Sequence, residues 1–286
     1  MRLAVLLFLF SLIAQTTCFA ASVFKVFKGE DYLYVGGTLH LLSESDYPLP
    51  TQYSQAYEQS DLVVFETDLA ALDSPEFLQH MLSALTYQKG ERLTDALSQT
   101  TITSLTAHLE KRGLTLQQFN HFKPAMMSMT LSMVELQRMG LTSEGVDKHF
   151  HHKASLEGKP IAWLETPEQQ IAFIAQMGQG DPDAFMQYTL KDLAQLPELL
   201  PELKSSWSSG DLDKMYNESL ADFAKQYPNV FDTLITQRNN AWMRDLNHYL
   251  ASPEVEFVLV GALHLPGNVG VLNQLREQGY EVEKVK

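Results

Sequence analysis

Two histidines stand in the same short setting at opposite ends of the chain. Tyr34-Val35-Gly36-Gly37-Thr38-Leu39-His40-Leu41 and Leu259-Val260-Gly261-Ala262-Leu263-His264-Leu265 each pass from a β-rich run through a glycine to Leu-His-Leu. A glycine at a strand end permits a sharp turn or a close backbone approach. A histidine three residues later is then presented just beyond the sheet, where open α/β sheets bind ligands. A carboxylate ends a third apolar run. In Leu62-Val63-Val64-Phe65-Glu66-Thr67-Asp68, strand alternation puts Leu62, Val64, Glu66 and Asp68 on one face. Taken singly, each histidine reads as a hydrogen-bonded loop residue. The duplication, with Glu66 beside it, makes His40, His264 and Glu66 a His/His/carboxylate set able to hold one divalent metal and leave a position open for water. Such an ion lowers the pKa of its bound water and polarises a substrate carbonyl, the chemistry of metal-assisted hydrolysis. Mn²⁺, Co²⁺, Zn²⁺ and Fe²⁺ all accept nitrogen and oxygen ligands, so residue types alone do not choose among them.

Arg238 is a second, independent signal. On a helix predicted from Val230 to Leu250, the apolar residues Phe231, Leu234, Ile235 and Trp242 fall within about 60° of it at ~100° per residue, so a guanidinium grows out of the core-facing stripe. It needs an anion. Glu66, Asp68 and Glu165 are the candidates, Glu165 ending Ile161-Ala162-Trp163-Leu164 as Glu66 ends its own run. A structural ion pair and a role in stabilising negative charge on a substrate oxygen are both open. Other clusters carry less. His149, His151 and His152 lie at i, i+2 and i+3 of a polar helix and point in different directions, which suits a solvated face better than a metal site. Met126, Met127, Met129 and Met133 crowd one helix as core or as a groove wall. There is no Gly-x-Ser-x-Gly elbow and no phosphate-cradling glycine loop.

The elements that must position these residues are short strands and longer helices. Val23 to Phe27 and Tyr32 to Gly37, joined by Lys28-Gly29-Glu30-Asp31, predict a hairpin. Leu62 to Phe65, Ile161 to Leu164, Phe257 to Val260 and Val282 to Val285 predict strands, the first of the kind buried on both faces. Helical spacing with stop signals marks Glu76 to Tyr87, Ile102 to Arg112, Pro124 to Met139 and Pro167 to Met177. Val230 to Leu250 is the longest predicted helix, and Pro266 to Gln278 the last. The expectation is one α/β domain over residues 21–286, whose central sheet comes from the two chain ends and carries a large helical insertion over about 70–250.

Composition bounds the function classes. The chain has 286 residues, 45% hydrophobic and 20% charged, with no low-complexity tract, and is globular. A net charge of −14 repels phosphate backbones and anionic lipid, so no nucleic-acid partner is expected. Met1-Arg2, the apolar run Leu3 to Ala14 and Cys18-Phe19-Ala20 read as a signal peptide over residues 1–20, cleaved after Ala20. Its 12-residue apolar run is too short for the ~20 residues of a bilayer span. A periplasmic or secreted protein follows, with no membrane span after cleavage. Cleavage would also remove Cys18, the single cysteine, and leave only nitrogen and oxygen ligands for any metal.

Gly37-Thr38-Leu39-His40, Phe65-Glu66-Thr67-Asp68, Gly145-Val146-Asp147, Lys159-Pro160-Ile161 with Leu164-Glu165-Thr166, Arg238-Asn239 with Trp242, and Gly261-Ala262-Leu263-His264 occur in the order and spacing of the TraB/GumN family, which the chain resembles over nearly all of its expected mature length. The resemblance implies a split-sheet α/β core related to the erythromycin-esterase and haem-binding ChaN folds. It also implies a Tiki-like metal-dependent peptidase, with the two Gly-x-x-His histidines and a glutamate as the site. On that pattern His40, Glu66 and His264 form the site and hold the metal; the residue reading adds Arg238 and Glu165 to Glu66 as expected catalytic groups, with Asp68, Asn239 and Asp147 expected to support them from behind. The expected substrate is a peptide or protein, entered through flexible segments bearing apolar residues. The competing expectation is a periplasmic protein that binds a peptide, haem or metal without turnover.

Overall fold

Uncharged, β-branched runs can be buried on both faces only inside a sheet, and those runs build the centre of this molecule. The structure, a computed structural model, describes residues 21–286. The signal-peptide expectation for residues 1–20 lies outside the described residues.

Eight strands occur among them: β1 (Val23–Lys28), β2 (Asp31–Thr38), β3 (Leu41–Leu42), β4 (Leu62–Phe65), β5 (Ser143–Glu144), β6 (Ile161–Trp163), β7 (Glu256–Gly261) and β8 (Glu281–Lys284). Between them run α1 (Thr51–Glu58), α2 (Pro75–Leu85), α3 (Gln99–Glu110), α4 (Leu116–Phe119), α5 (Pro124–Arg138), α6 (Val146–Glu157) and α7 (Pro167–Ala175). The series continues with α8 (Pro182–Ser209), α9 (Leu212–Ser219), α10 (Ala221–Gln226), α11 (Pro228–Phe231), α12 (Gln237–Tyr249) and α13 (Val271–Glu277).

Six strands form one sheet in the order β6-β4-β7-β2-β1-β8, and β3 pairs with β5 apart from it. β6, β4, β7 and β2 are mutually parallel, whereas β1 and β2 form the expected antiparallel hairpin and β8 pairs antiparallel with β1. Parallel strands release their chains at one common edge. The register sets Thr38 beside Gly261, Phe65 beside Leu259, and Trp163 beside Phe65. The segments carrying His40, His264, Glu66 and Glu165 therefore all leave the sheet at the same end.

Both faces are covered. On one, Tyr53 and Tyr57 of α1 and Phe150 and Ala154 of α6 pack over Val63, Phe65 and Phe257. On the other, Trp242 and Leu246 of α12 and Leu272 and Leu275 of α13 pack over Val64, Val258 and Val260. A third core, built from α3, α5 and α8 around Leu105, Met127, Leu131 and Phe185, makes a helical layer of its own.

The α/β class holds, and four details differ from the sequence expectation. The sheet draws β4 and β6 into the set supplied by the chain ends. The 70–250 stretch is not a single helical block, because residues 143–163 return as β5, α6 and β6. The longest helix is α8, with 28 residues, which runs through Pro197 and Pro201. Two prolines read as breakers in a sequence, yet the seven-residue spacing of buried Leu193, Leu200 and Trp207 keeps one face in the core and holds the helix together. The predicted helices Val230 to Leu250 and Pro266 to Gln278 also change. The first is α11, a π-helical turn at Asp232–Thr236 and α12, while the second starts only at Val271. A π turn adds a residue per turn, so the phase of residues 231–235 does not carry through to Arg238. The inward stripe is Ile235, Asn239, Trp242, Met243 and Leu246, and Arg238 lies at its border.

Candidate active site at the carboxyl end of the sheet

β7 breaks at Gly261 into a short 3₁₀ turn, Ala262–His264, which drops His264 back into the protein. Its imidazole Nδ1 donates to Oδ1 of Asn239 at 2.7 Å. The orientation of Asn239 is fixed because its Nδ2 donates to the carbonyls of His264 (3.2 Å) and Val269 (2.8 Å). The proton therefore sits on Nδ1, and Nε2 presents a lone pair. Arg238 Nη1 donates to that lone pair at 3.1 Å. Burial, reinforced by the guanidinium, pushes the His264 pKa down to about 3 against the pull of Glu66, so the ring is neutral at physiological pH.

Glu66 leaves β4 beside the same turn. Its Oε1 accepts the Gly261 N–H at 2.5 Å and stands 3.9 Å from His264 Nε2, and its Oε2 accepts from Arg238 Nη2 at 2.5 Å. Gln170 of α7 adds a longer contact to Oε2 at 3.4 Å. A Cβ at position 261 would lie 3.1 Å from Glu66 Oε1, so the glycine lets the backbone N–H approach the carboxylate. Burial raises the Glu66 pKa, but Arg238, the histidines and the Gly261 N–H outweigh it and hold the carboxyl at about 2.

The backbone bond from Glu165 N to Glu66 O (2.9 Å) carries the β6–β4 pairing past the strand ends and brings Glu165 alongside. Both its oxygens accept from Arg238 Nε at 3.1 Å, Oε1 also accepts from Nη2 at 2.5 Å, and Oε2 accepts from Trp242 Nε1 at 3.2 Å. Two carboxylates that share one cation cannot both be stabilised fully. Glu165, the more buried, is shifted upward by desolvation while Glu66 is held down.

His40 leaves β2 at the same end but stays at the rim, its side chain 67% exposed, with Nδ1 bound to Asp147 Oδ2 at 2.9 Å. Asp147 is delivered by the tight seating of α6 on the His40 turn, where Val146 N donates to Leu39 O at 3.1 Å. Gly145 makes that approach possible, because a Cβ there would run into the backbone of Leu39 and His40. The Asp147 carboxylate raises the His40 pKa to about 9, and His40 is close enough for Glu66 and Arg238 to act on it as well. Asp147 Oδ1 is buried with no hydrogen-bond partner among the described residues.

Of the residues singled out from sequence, the structure brings Glu66, Glu165, Arg238, Asn239 and His264 into one network and sets His40 with Asp147 beside it. Asp68 stands apart, accepting from Ala70 N and Ala71 N at 3.0 and 3.3 Å as the cap of a short turn. The three α6 histidines diverge: His151 sits edge-on to Phe65, His149 lies against Tyr47, and His152 pairs with Glu144 at 3.1 Å. Met127 is core, while Met129 and Met133 are exposed. Among the described residues, no three His, Cys, Asp or Glu side chains converge as a ready metal cage. Arg238 supplies positive charge at the donor atoms of Glu66 and His264 instead.

Sequence reasoning did not assign site roles to Trp242, Gln170 and Phe173. The Trp242 ring lies 4.6 Å from His264 and 4.9 Å from the guanidinium, and Phe173 lies 6.0 Å from the latter. Trp242 was legible as the residue one helical turn past Arg238. Nothing in the sequence of α7 marked the other two.

Comparison with known proteins finds a likeness over nearly all of the described residues. The profile of the TraB/PrgY/gumN family matches residues 22–284. The chain is 26% identical over 260 residues to the uncharacterized protein YbaP of Escherichia coli (strain K12), covering 87% of this chain and 89% of that protein. The Shigella flexneri YbaP matches with the same identity and coverage. No solved structure matches.

Proposed function

The chain belongs to the TraB/PrgY/gumN family, and on that premise we propose that it is a metal-dependent hydrolase, most closely a peptidase, exported to the periplasm or secreted after cleavage behind Ala20. The observation that carries the reading is the anchoring of two histidines on neighbouring parallel strands. Asp147 holds His40 by Nδ1, and Asn239 holds His264 by Nδ1. Each ring thus keeps Nε2 clear of its anchoring residue, and ionised Glu66 follows β4, the strand next to β7 on the side away from β2. A carboxylate or carbonyl acceptor behind an imidazole is what orients a metal-ligating histidine and fixes its tautomer.

The donor set Glu66, His264 and His40 would suit a divalent ion only after two changes: Arg238 Nη1 gives up its bond to His264 Nε2, and His40, kept protonated at neutral pH by Asp147, gives up its Nε2 proton. When bound, the ion supplies an activated water and a polarised carbonyl. The chain does the rest. Arg238, freed at Nη1 but still held by Glu165 through Nε and Nη2, donates to the oxygen on which negative charge develops. Glu165 acts through Arg238, since its oxygens are already taken by the guanidinium and Trp242. Trp242 and Phe173 wall the site and keep water from the ion pairs.

Metal analysis of the purified protein tests this. Wild type retains a stoichiometric divalent ion and a His40→Ala/His264→Ala variant does not; equal metal in both rejects the ligand assignment. A metal-supplemented digest of a mixed peptide library, read by mass spectrometry beside Glu66→Ala, then separates catalysis from binding. Metal retained without any products identifies a binding protein.

A further inference from the structure

The sheet has two outer edges, and they are built differently. β8 presents Glu281, Glu283 and Lys284 along its edge, the charged guard by which natural sheets prevent further pairing. β6, the opposite edge, is Ile161-Ala162-Trp163, with no charge and with Trp163 45% exposed. It pairs with β4 alone. Val63 N donates to Pro160 O and Leu164 N to Phe65 O, both at 3.0 Å, so in this parallel ladder the even-numbered residues of β6 bond inward. The N–H and C=O groups of Ile161 and Trp163 consequently point to the open side.

An alternating row of backbone donors and acceptors is matched by one kind of ligand, an extended polypeptide. The edge also leads into the candidate site. Glu165, which holds Arg238, lies two residues past Trp163, about 7 Å along the strand direction. We propose that an extended polypeptide substrate pairs with the outer edge of β6 as a seventh strand, sets an apolar residue beside Trp163, and is carried by that pairing to Glu66 and Arg238. The inference rests on the reading that this site acts on polypeptide. It explains why an apolar edge strand is left unguarded at this end of the sheet and only here.

The pairing is tested without turnover, on chelator-treated protein, with fluorescein-labelled β-casein as an unfolded probe. Anisotropy reports binding, and hydrogen exchange read by mass spectrometry reports which amides the probe protects. In wild type, the amides of Ile161 and Trp163 exchange fast and slow on addition of the probe. Trp163→Pro removes an outward N–H at an edge position without touching the bonds to β4, so it keeps the melting temperature and binds the probe at least tenfold more weakly. Trp163→Ala keeps the N–H, loses only the aromatic contact and weakens binding less. Protection elsewhere, Trp163→Pro binding within threefold of wild type, or no probe binding at all overturns the proposal and leaves the hydrolase reading standing. Protection of 161–163 in the free protein together with a dimeric mass overturns it in favour of self-pairing. Edge binding by a protein that cleaves nothing when metal is restored supports the docking surface and rejects the hydrolase reading.

Discussion

Arg238→Met removes the cation that Glu66 and Glu165 share while leaving both carboxylates in place. Their side chains are 11% and 4% exposed, and Arg238 makes four hydrogen bonds to them. Deleting one member of a buried ion pair costs about 3–5 kcal/mol, because the remaining charge stays desolvated and unpaired. The single variant is therefore expected to lose about that much stability at neutral pH, measured by urea unfolding followed through tryptophan fluorescence with chelator present. The loss should shrink in mildly acidic buffer, where the orphaned carboxyls take up protons and become neutral. The discriminating experiment is Arg238→Met/Glu66→Gln/Glu165→Gln. Glutamine keeps an acceptor for Gly261 N and for Trp242 Nε1 but removes the charges, so the triple variant should recover at least half of the loss. A single variant within about 1 kcal/mol of wild type, or a triple variant no more stable than the single, would refute the account of this cluster as mutually compensated charge.

Arg238→Lys keeps the charge but loses the fork that spans Glu165, Glu66 and His264, so turnover in the peptide digest should fall by more than tenfold while the melting temperature moves only a few degrees; a variant that melts early yet keeps normal turnover per folded molecule makes Arg238 architectural. Glu66, held at about 2 against an ordinary 4.5, contributes stability that is complete above pH 4.5 and is lost as pH falls toward 2, about 3 kcal/mol at most by linkage. Acid titration of metal-free wild type beside Glu66→Gln checks it, the difference between the two curves staying constant above pH 4.5 and shrinking as pH falls from there toward 2. Gly145→Ala forces the α6 turn away from the Leu39–His40 backbone, and is expected to lower stability by about 1–3 kcal/mol and to break the His40–Asp147 pair. NMR of the His40 ring reads that break as a pKa falling from about 9 toward the ordinary histidine range, and an unchanged titration rejects the role given to Gly145.

Short apolar runs leave a mark that survives without coordinates, which is why buried β4 and β7, the β1–β2 hairpin and the edge strand β6 were legible, and why a glutamate or a Gly-x-x-His at their ends stood out. The duplicated motif could be read because both copies close parallel strands that lie side by side, Thr38 against Gly261. Its two histidines look alike as sequence, yet one is buried with a pKa near 3 and the other is exposed and raised to about 9. That divergence comes from burial of the one ring beside Arg238 and from the Asp147 carboxylate behind the other, a partner 107 residues away that no local pattern encodes. The π turn at Asp232–Thr236 shifted the phase on which the placement of Arg238 rested, and Pro197 and Pro201 hid the longest helix. Arg238 could be recognised from sequence as a cation in need of a partner. Which carboxylates it would find depended on the backbone bond from Glu165 to Glu66 that aligns β6 with β4, because strand register is a property of the assembled sheet and is written in neither strand alone.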